Sequence, residues 1–405
     1  MPRLLTAGES HGATLVVIVD GLPAGIPLGV KDIDRELRRR QAGYGRGPRA
    51  TGTIDRARLL AGVAGGQTTG APVAIELANP EPDLRPANLR STQGERPAVP
   101  RPGHADLGLA VKYGTPDFWS QAERASARET AARVAGATVA RALLTQLGVA
   151  VGSHVTAIGG VVVAETRPGA ASGAGIGPAA ARDRPGWQAV FAAAETDCLR
   201  CADPGTSLRM RSVIDEASAR GDTLGGVFEV AALGCPPGLG GFGQWDRRLD
   251  ARLAGAVMSV PGVKAVSIGV GFEAAALSGR LAHDPVVPGS GPFRTARPSN
   301  LAGGLEGGIT NGQPVVVRAA MKPIPSLGNP LPSVDLVSGE PCLAPRVRGD
   351  VCAVPAAAVV AEAMVAWELA AAVLERYGSD TLEAVLEAWQ RDTAAWRRDA
   401  EASIP

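Results

Sequence analysis

The sequence predicts an α+β protein, and three observations carry that expectation. Strand-like runs dominate the first eighty residues, strand and helix signals interleave through the middle, and two long apolar helical segments close the chain. The first run, TLVVIVDG at 14–21, is β-branched and reads as a strand. KDIDRELRRR at 31–40 reads as a short charged helix, and RARLLAGVAG and APVAIELA follow as alternating apolar segments. From about 80 to 123 Pro, Arg and Gly crowd a stretch without period, which predicts a long surface loop of the kind that often carries function.

The next segment, SARETAARVAGATVARALLTQLG, has helical apolar spacing, a Ser126/Glu129 capping box at its start and Gly148 at its end. Strand signals return at 155–165, 226–233, 263–272 and 314–320, with helices near 209–220 and 246–259 between them. VPAAAVVAEAMVAWELAAAVLERYG and DTLEAVLEAWQRDTAAWRRD read as two helices joined at Gly378, the second capped by Ser379 or Asp380. Their glutamates and arginines argue against insertion in lipid. Without a 20–50-residue repeat or a shift in composition, residues 1–405 are expected to form a single large domain.

Composition narrows the function classes. The chain is 45% hydrophobic, and its 52 Gly and 32 Pro stay below the level of low-complexity sequence, so a sizeable core with many loops is expected. With 41 basic against 40 acidic residues there is no broad field for nucleic acid or an anionic membrane, and any anion site must be local. The N-terminal residues lack the pattern of a secretory signal, and five scattered cysteines suit a reducing compartment, so a cytoplasmic location is expected. Cys198 and Cys201 form one C-x-x-C without a second ligand pair, and no metal site is expected.

The four histidines separate by context. His154 lies in a strand-like run and His283 in a Pro-bounded loop, both ordinary structural settings. His11 sits between glycines in GESHG, and His104 sits in RPGHAD with Arg101 before it and Asp106 after it, where backbone can approach a ligand. GESHG also matches the nucleophile elbow G-x-S-x-G through Ser10, but a strand follows it where that elbow needs a helix. GLGGFG at 238–243 matches a dinucleotide fingerprint, but Cys235, Pro236 and Pro237 precede it instead of a strand, so it is expected to pack closely against another backbone segment.

Only four cations are lysines, Lys31, Lys112, Lys264 and Lys322, so a single arginine says little and spacing must speak. In RRRQAGYGRGPR, Arg38 to Arg40 end a helix and Arg46 and Arg49 follow in a Gly-rich loop. The cluster either complements the helix C-terminus or binds an anion through planar guanidinium forks. Arg124 and Arg128 flank a predicted helix start, a second element that favours a negative group.

In their order, GESHG, DGLPAG, RRRQAGYGRG, RPGHAD, RASARET, VPGVKAVSIG, AGGLEGGITNGQPVVVRAAMKPIPS and RGDVCAVPA resemble the chorismate synthase family from residue 8 to about 364. The resemblance implies an α+β, β-α-β sandwich-like fold and a homotetramer. It implies elimination of phosphate from 5-enolpyruvylshikimate 3-phosphate to give chorismate, a 1,4-anti elimination that needs reduced FMN without net redox change. NADPH would be the ultimate reductant, with an external flavin reductase as a partner.

For residues, the resemblance implies that His11 protonates or hydrogen-bonds the departing phosphate and that His104 stabilises the reduced, anionic flavin. Asp350 would take part in proton removal, with Ser10 and Ser126 as relay hydroxyls. Arg40 and Arg46 match positions associated with NADP and could equally grip substrate, which Arg128 would also contact. Flavin positions are Arg124, Ala125 and Ser126, then Pro261 and Gly262, Gly307, Lys322, Pro323, Ile324, Pro325 and Ser326, and Arg348. The chain departs from the family pattern at Gln41-Ala42, Pro261-Gly262 and Gly349. A non-catalytic flavin- or phosphometabolite-binding protein is the rival reading.

Overall fold

The structure is a computed structural model that describes residues 2–47, 52, 54–79, 98–163, 184–346, 349–378 and 380–401. Its first sheet follows from apolar alternation. Strands β1 (Arg3–Ala7), β2 (Thr14–Asp20), β3 (Ala57–Ala61) and β4 (Val73–Ala78) pair antiparallel in the order β1-β2-β4-β3. Leu15, Val17 and Val19 of β2 lie directly opposite Leu77, Ile75 and Val73 of β4, and all six are buried on one face. The register is thereby fixed, since a one-residue slip would turn the whole set to solvent.

The principal helices are α1 (Val30–Gln41), α2 (Asp106–Tyr113), α3 (Trp119–Arg124), α4 (Thr130–Gln146), α5 (Arg184–Thr196), α6 (Pro204–Ala219), α7 (Leu249–Met258), α8 (Val354–Tyr377) and α9 (Leu382–Glu401). Helices α1 and α4 cover the first sheet's apolar face. Close approach of α4 depends on Gly136, where a Cβ would stand 2.7 Å from the Val17 side chain.

A second antiparallel sheet contains β5 (Ala150–Ile158), β6 (Val161–Val162), β7 (Gly226–Leu233), β8 (Val263–Ile268) and β9 (Val315–Met321), in the order β8-β9-β7-β5-β6. Helix α8 fills the space between this sheet and α4, so the layers run sheet, helices, sheet, as the expected sandwich requires. One apolar cluster joins Leu15, Leu143, Phe228, Val317 and Leu369 across those layers. On the outer face of the second sheet, Phe191 of α5 lies over Gly152, where a Cβ would meet its ring at 2.6 Å.

Helix α8 is long and apolar enough to cross a membrane, yet 89% of its apolar window is buried inside the protein. Its Glu362 is fully buried among Arg39 at 2.8 Å, Arg141 at 2.5 Å and Arg200 at 2.9 Å, with the Ser153 hydroxyl donating at 2.6 Å. Burial pushes this carboxyl up, and the three guanidiniums overcome it and hold the group below the usual range. The network ties α8 to α1, α4 and β5, and so fixes Arg39, the neighbour of Arg40.

The structure departs from the sequence expectations in several places. Part of the expected loop at 80–123 is helical: α2 and α3 form there around a small cluster of Ala110, Phe118 and Ala122, too short to show a period. Residues 80–97 lie outside the described residues. The Ser126/Glu129 box does not close. Ser126 caps a 3₁₀ turn, Ala127–Glu129, by accepting from the Arg128 N–H, while Glu129 turns to Thr6 at 2.6 Å and Arg133 at 2.8 Å, and α4 begins at Thr130. Strand β8 stops at Ile268, short of 272. Strand β1 and helix α5 had no expectation at all.

Candidate active site

The turn between β1 and β2 carries Ser10 and His11. Gly8 makes it possible, with φ +103 and a Cβ position only 2.3 Å from the Thr14 carbonyl oxygen. A strand stands on either side of the turn, which excludes the strand-to-helix nucleophile elbow. Helix α3 grips this turn. The Ser10 N–H donates to the Glu123 carbonyl at 3.2 Å, and the His11 N–H donates to Glu123 Oε2 at 3.0 Å. The His11 ring engages the same oxygen through Nδ1 at 2.7 Å, while Arg124 donates to the Thr6 and Gly8 carbonyls at 2.9 and 3.4 Å. Asn79 completes the support by donating to Glu9 and Gly12 carbonyls at 3.2 and 2.7 Å.

The arginine cluster lies beside this turn, bridged by Asn79, whose Oδ1 accepts from Arg128 Nε at 2.9 Å. Arg128 also reaches both oxygens of Asp55, at 2.6 and 2.7 Å, and Arg40 faces the same carboxylate at 3.6 Å. Arg40 donates to the Thr130 hydroxyl at 2.9 Å and to the Ala127 carbonyl at 3.1 Å, so it braces the start of α4. Arg46 pairs with Asp350 at 2.8 Å, and the other Asp350 oxygen accepts from the Gly47 N–H at 2.7 Å. Burial and the charges of Arg46 and Arg128 pull Arg40 down to about 10, against the pull of Asp55 and Asp350.

Three guanidiniums therefore share two carboxylates, and among the described residues Arg46 Nε and Arg128 Nη2 are buried without a hydrogen-bond partner, as is the Asp55 Oδ1 acceptor. Orphaned buried donors beside a surplus cation suit an anionic ligand, whether substrate or the phosphate of a flavin. Of the two readings of this arginine run, helix-end complement or anion site, the geometry favours the second for Arg40 and Arg46.

His104 occupies the second half of the site. Its Nδ1 makes a short contact with Asp106, a fully buried carboxylate that also takes Arg101 at 2.7 and 2.9 Å. Burial pushes Asp106 up, but hydrogen bonds from His104 and Arg101 outweigh it and hold the carboxyl well below its usual range. Arg101 stacks on Trp119 at 5.4 Å, so opposite ends of the short helix α3 meet the two histidine loops. Lys322 Nζ donates to the Gly103 carbonyl at 2.5 Å, and its N–H donates to the Gly262 carbonyl at 2.9 Å. The Ile324 carbonyl accepts from Thr223 at 2.7 Å, and the next residue, Leu224, donates to the Val351 carbonyl at 2.8 Å. Segments 101–106, 261–262, 322–326 and 350–351 are thus linked in one chain of contacts.

One expected site residue stands apart. Gly307 sits in the turn of the hairpin Leu305–Glu306/Ile309–Thr310, whose next residue, Gly308, packs against Arg248 at the N-terminal end of α7, whereas Pro261 and Gly262 follow that helix's other end. Ten helical residues, about 15 Å, separate them within the chain. Arg348 lies outside the described residues, as does Arg49. Arg124 spends its guanidinium on the carbonyls of the Ser10–His11 turn, and Ala125 and Ser126 follow it beside the cluster. His154 is buried in β5 against Glu229 at 3.1 Å, the structural setting its context predicted. GLGGFG packs as expected, the Cβ position of Gly240 being 2.5 Å from the Gly308 carbonyl oxygen.

Sequence reasoning missed Glu123, Asp55, Asn79 and Gln41. Gln41, one of the departures from the family pattern, accepts from the Asp55 N–H at 2.9 Å and so helps to seat the carboxylate between the arginines. Nothing in local spacing marks these residues, because each acts on a partner distant in sequence.

The family model for chorismate synthase matches residues 2–374. Chorismate synthase of Moorella thermoacetica is 50% identical over 400 residues, covering 96% of this chain and 97% of that protein. Its counterpart in a Parafrankia species is 49% identical over 396 residues, covering 95% and 96% respectively. A solved structure described as "Crystal Structure of Chorismate Synthase" superposes with a TM-score of 0.78 at 39% identity, over 98% of each chain. The sequence resemblance, the sandwich and the clustered arginines and histidines converge with these matches, and the chain belongs to the chorismate synthase family, carbon–oxygen lyases that make chorismate with the aid of reduced FMN.

Proposed function

We propose that the arginine cluster and the two carboxylate-held histidines are the working parts of phosphate elimination from 5-enolpyruvylshikimate 3-phosphate. The observation that carries this reading is the buried surplus of cation at Arg40, Arg46 and Arg128, with donors on Arg46 and Arg128 lacking a partner among the described residues. A substrate with two carboxylates and a phosphate supplies the missing acceptors. Arg128, Arg46 and Arg40 bind and orient it, and their enclosure excludes water and strengthens each charge pair.

His11 hydrogen-bonds or protonates the departing phosphate, and Asp350 takes up the proton that the elimination removes. Ser10 and Ser126 would serve as relay hydroxyls. Lys322, Arg124 and Arg348, with Ala125, Pro261, Gly262, Gly307 and residues 323–326, would hold the flavin, and His104 would face its reduced ring. Bound reduced FMN supplies electron density to the substrate without net redox change.

NADPH as ultimate reductant, a separate flavin reductase and a cytoplasmic location are further proposals, supported by family membership. So is a homotetramer, which would also cover Phe242, Trp245, Phe272 and Phe293, all more than three-quarters exposed in the single chain. The test is an anaerobic assay with chemically reduced FMN and 5-enolpyruvylshikimate 3-phosphate, with oxidised FMN as control. Chorismate and phosphate in equal amounts over many turnovers, only with reduced flavin, is the expected result. Binding of both without product would favour the non-catalytic rival.

A further inference from the structure

We infer that Glu123 is a positioning residue that fixes the tautomer of His11, keeping the ring proton on Nδ1 and leaving the chemistry to Nε2. The inference rests on the proposed role of His11 and adds a group that the sequence did not single out.

Glu123 Oε2 receives both the His11 backbone N–H at 3.0 Å and His11 Nδ1 at 2.7 Å. A carboxylate is an acceptor only, so the 2.7 Å contact requires hydrogen on Nδ1. Neutral imidazole carries one proton, and with that proton on Nδ1 it is Nε2 that takes up a second and gives it to the departing phosphate. The same carboxylate therefore sets both the backbone and the ring of one residue.

Burial makes the restraint firm. The Glu123 side chain is 8% exposed while that of His11 is 42% exposed, so the anchor is inside and the ring reaches outward. The Ser10 N–H on the Glu123 carbonyl and Arg124 on the Thr6 and Gly8 carbonyls hold the turn against rotation about this contact. His104 also sets its Nδ1 on a buried carboxylate, Asp106, but there Arg101 Nη2 stands 3.2 Å from the same nitrogen. Each histidine thus has a carboxylate behind Nδ1, and α3 lies between them.

The decisive experiment is solid-state 15N spectroscopy of histidine-labelled protein at alkaline pH, the His11 signals being identified by their loss in His11→Gln. The expected result is protonated Nδ1 and unprotonated Nε2 at His11 in the unaltered protein; a protonated Nε2 would overturn the inference with no Glu123 variant required. Glu123→Leu removes the acceptor and is expected to give mixed tautomers and a kcat about 10- to 100-fold lower, with FMN affinity within about twofold. Glu123→Gln keeps an acceptor oxygen and is expected to retain the Nδ1–H tautomer and more of the activity. An unchanged His11 spectrum in Glu123→Leu, or in its place equal loss of tautomer and flavin binding in Glu123→Gln, would refute positioning. Wild-type turnover in His11→Gln would instead defeat the proposed role of His11 while leaving the tautomer result standing.

Discussion

Arg46 and Asp350 come from opposite ends of the chain and meet as an ion pair of 2.8 Å, with the Gly47 N–H closing the other carboxylate oxygen at 2.7 Å. The pair makes Asp350 both a candidate proton acceptor and the anchor of a substrate-facing arginine. From sequence roles alone, Asp350→Asn would leave substrate binding nearly intact. The structure changes that expectation. Asparagine can still accept from Gly47 but cannot neutralise Arg46, so kcat should fall and KM for the substrate should rise about tenfold, equivalent to 1.4 kcal/mol. Steady-state kinetics decide it, and an unchanged KM would show that Arg46 needs no anchor.

His11 sits on a turn whose geometry survives loss of its ring, since Ser10 N–H and Asn79 hold the backbone independently. His11→Ala is expected to lower kcat by about 10²- to 10⁴-fold, the range for removal of a general acid. Flavin titration of the same variant should give nearly the wild-type affinity. Near-normal turnover would remove His11 from the chemistry.

Asp55 is the buried counterion of Arg128 and Arg40. Asp55→Asn leaves two guanidiniums facing one another with no charge between them, and about 3–5 kcal/mol of stability should be lost. Phosphate or substrate should restore part of that loss, because an added anion takes the carboxylate's place. Denaturant unfolding with and without phosphate measures both effects; equal losses in the two conditions would contradict an anion site here.

Acid should unfold the protein through its carboxylates. Burial raises Glu195, but hydrogen bonds and charge from Arg39 and Arg200 bring it down to about 2, and Glu362 is lowered by Arg39, Arg200 and Arg141 against its burial. A carboxyl whose folded value lies below its unfolded value stabilises the fold above about pH 4.3 and loses that contribution as pH falls toward the folded value. Stability should therefore decline from about pH 4.5 toward pH 2. Glu195→Gln should flatten this slope in a pH series of unfolding curves. An unaltered slope would place the acid sensitivity elsewhere.

Much of the fold was legible because its signals are local. The β-branched run of β2, the charged face of α1 and the strand at 226–233 each announce themselves in a short window, and the structure places them within a residue or two. Helices α2 and α3 were hidden because their stability comes from a cluster around Phe118 and from the histidine and arginine loops, not from a long apolar period. The Ser126/Glu129 box failed for a related reason: Glu129 finds Thr6 and Arg133, partners supplied by tertiary structure.

By itself the sequence determined the mixed α+β class, the family and the residue types the chemistry needs: histidines beside glycines, arginines in runs, an acid in RGDVCAVPA. Those depend on short-range pattern and on motif order, which a chain carries without folding. Only the tertiary structure decided which carboxylate holds which base. Glu123 behind His11, Asp55 between Arg40 and Arg128, and Gln41 beneath Asp55 join elements distant in the chain. Such pairings form only when burial removes water and makes each unpaired charge costly, so they are set by the packed interior and leave no periodic trace in the sequence.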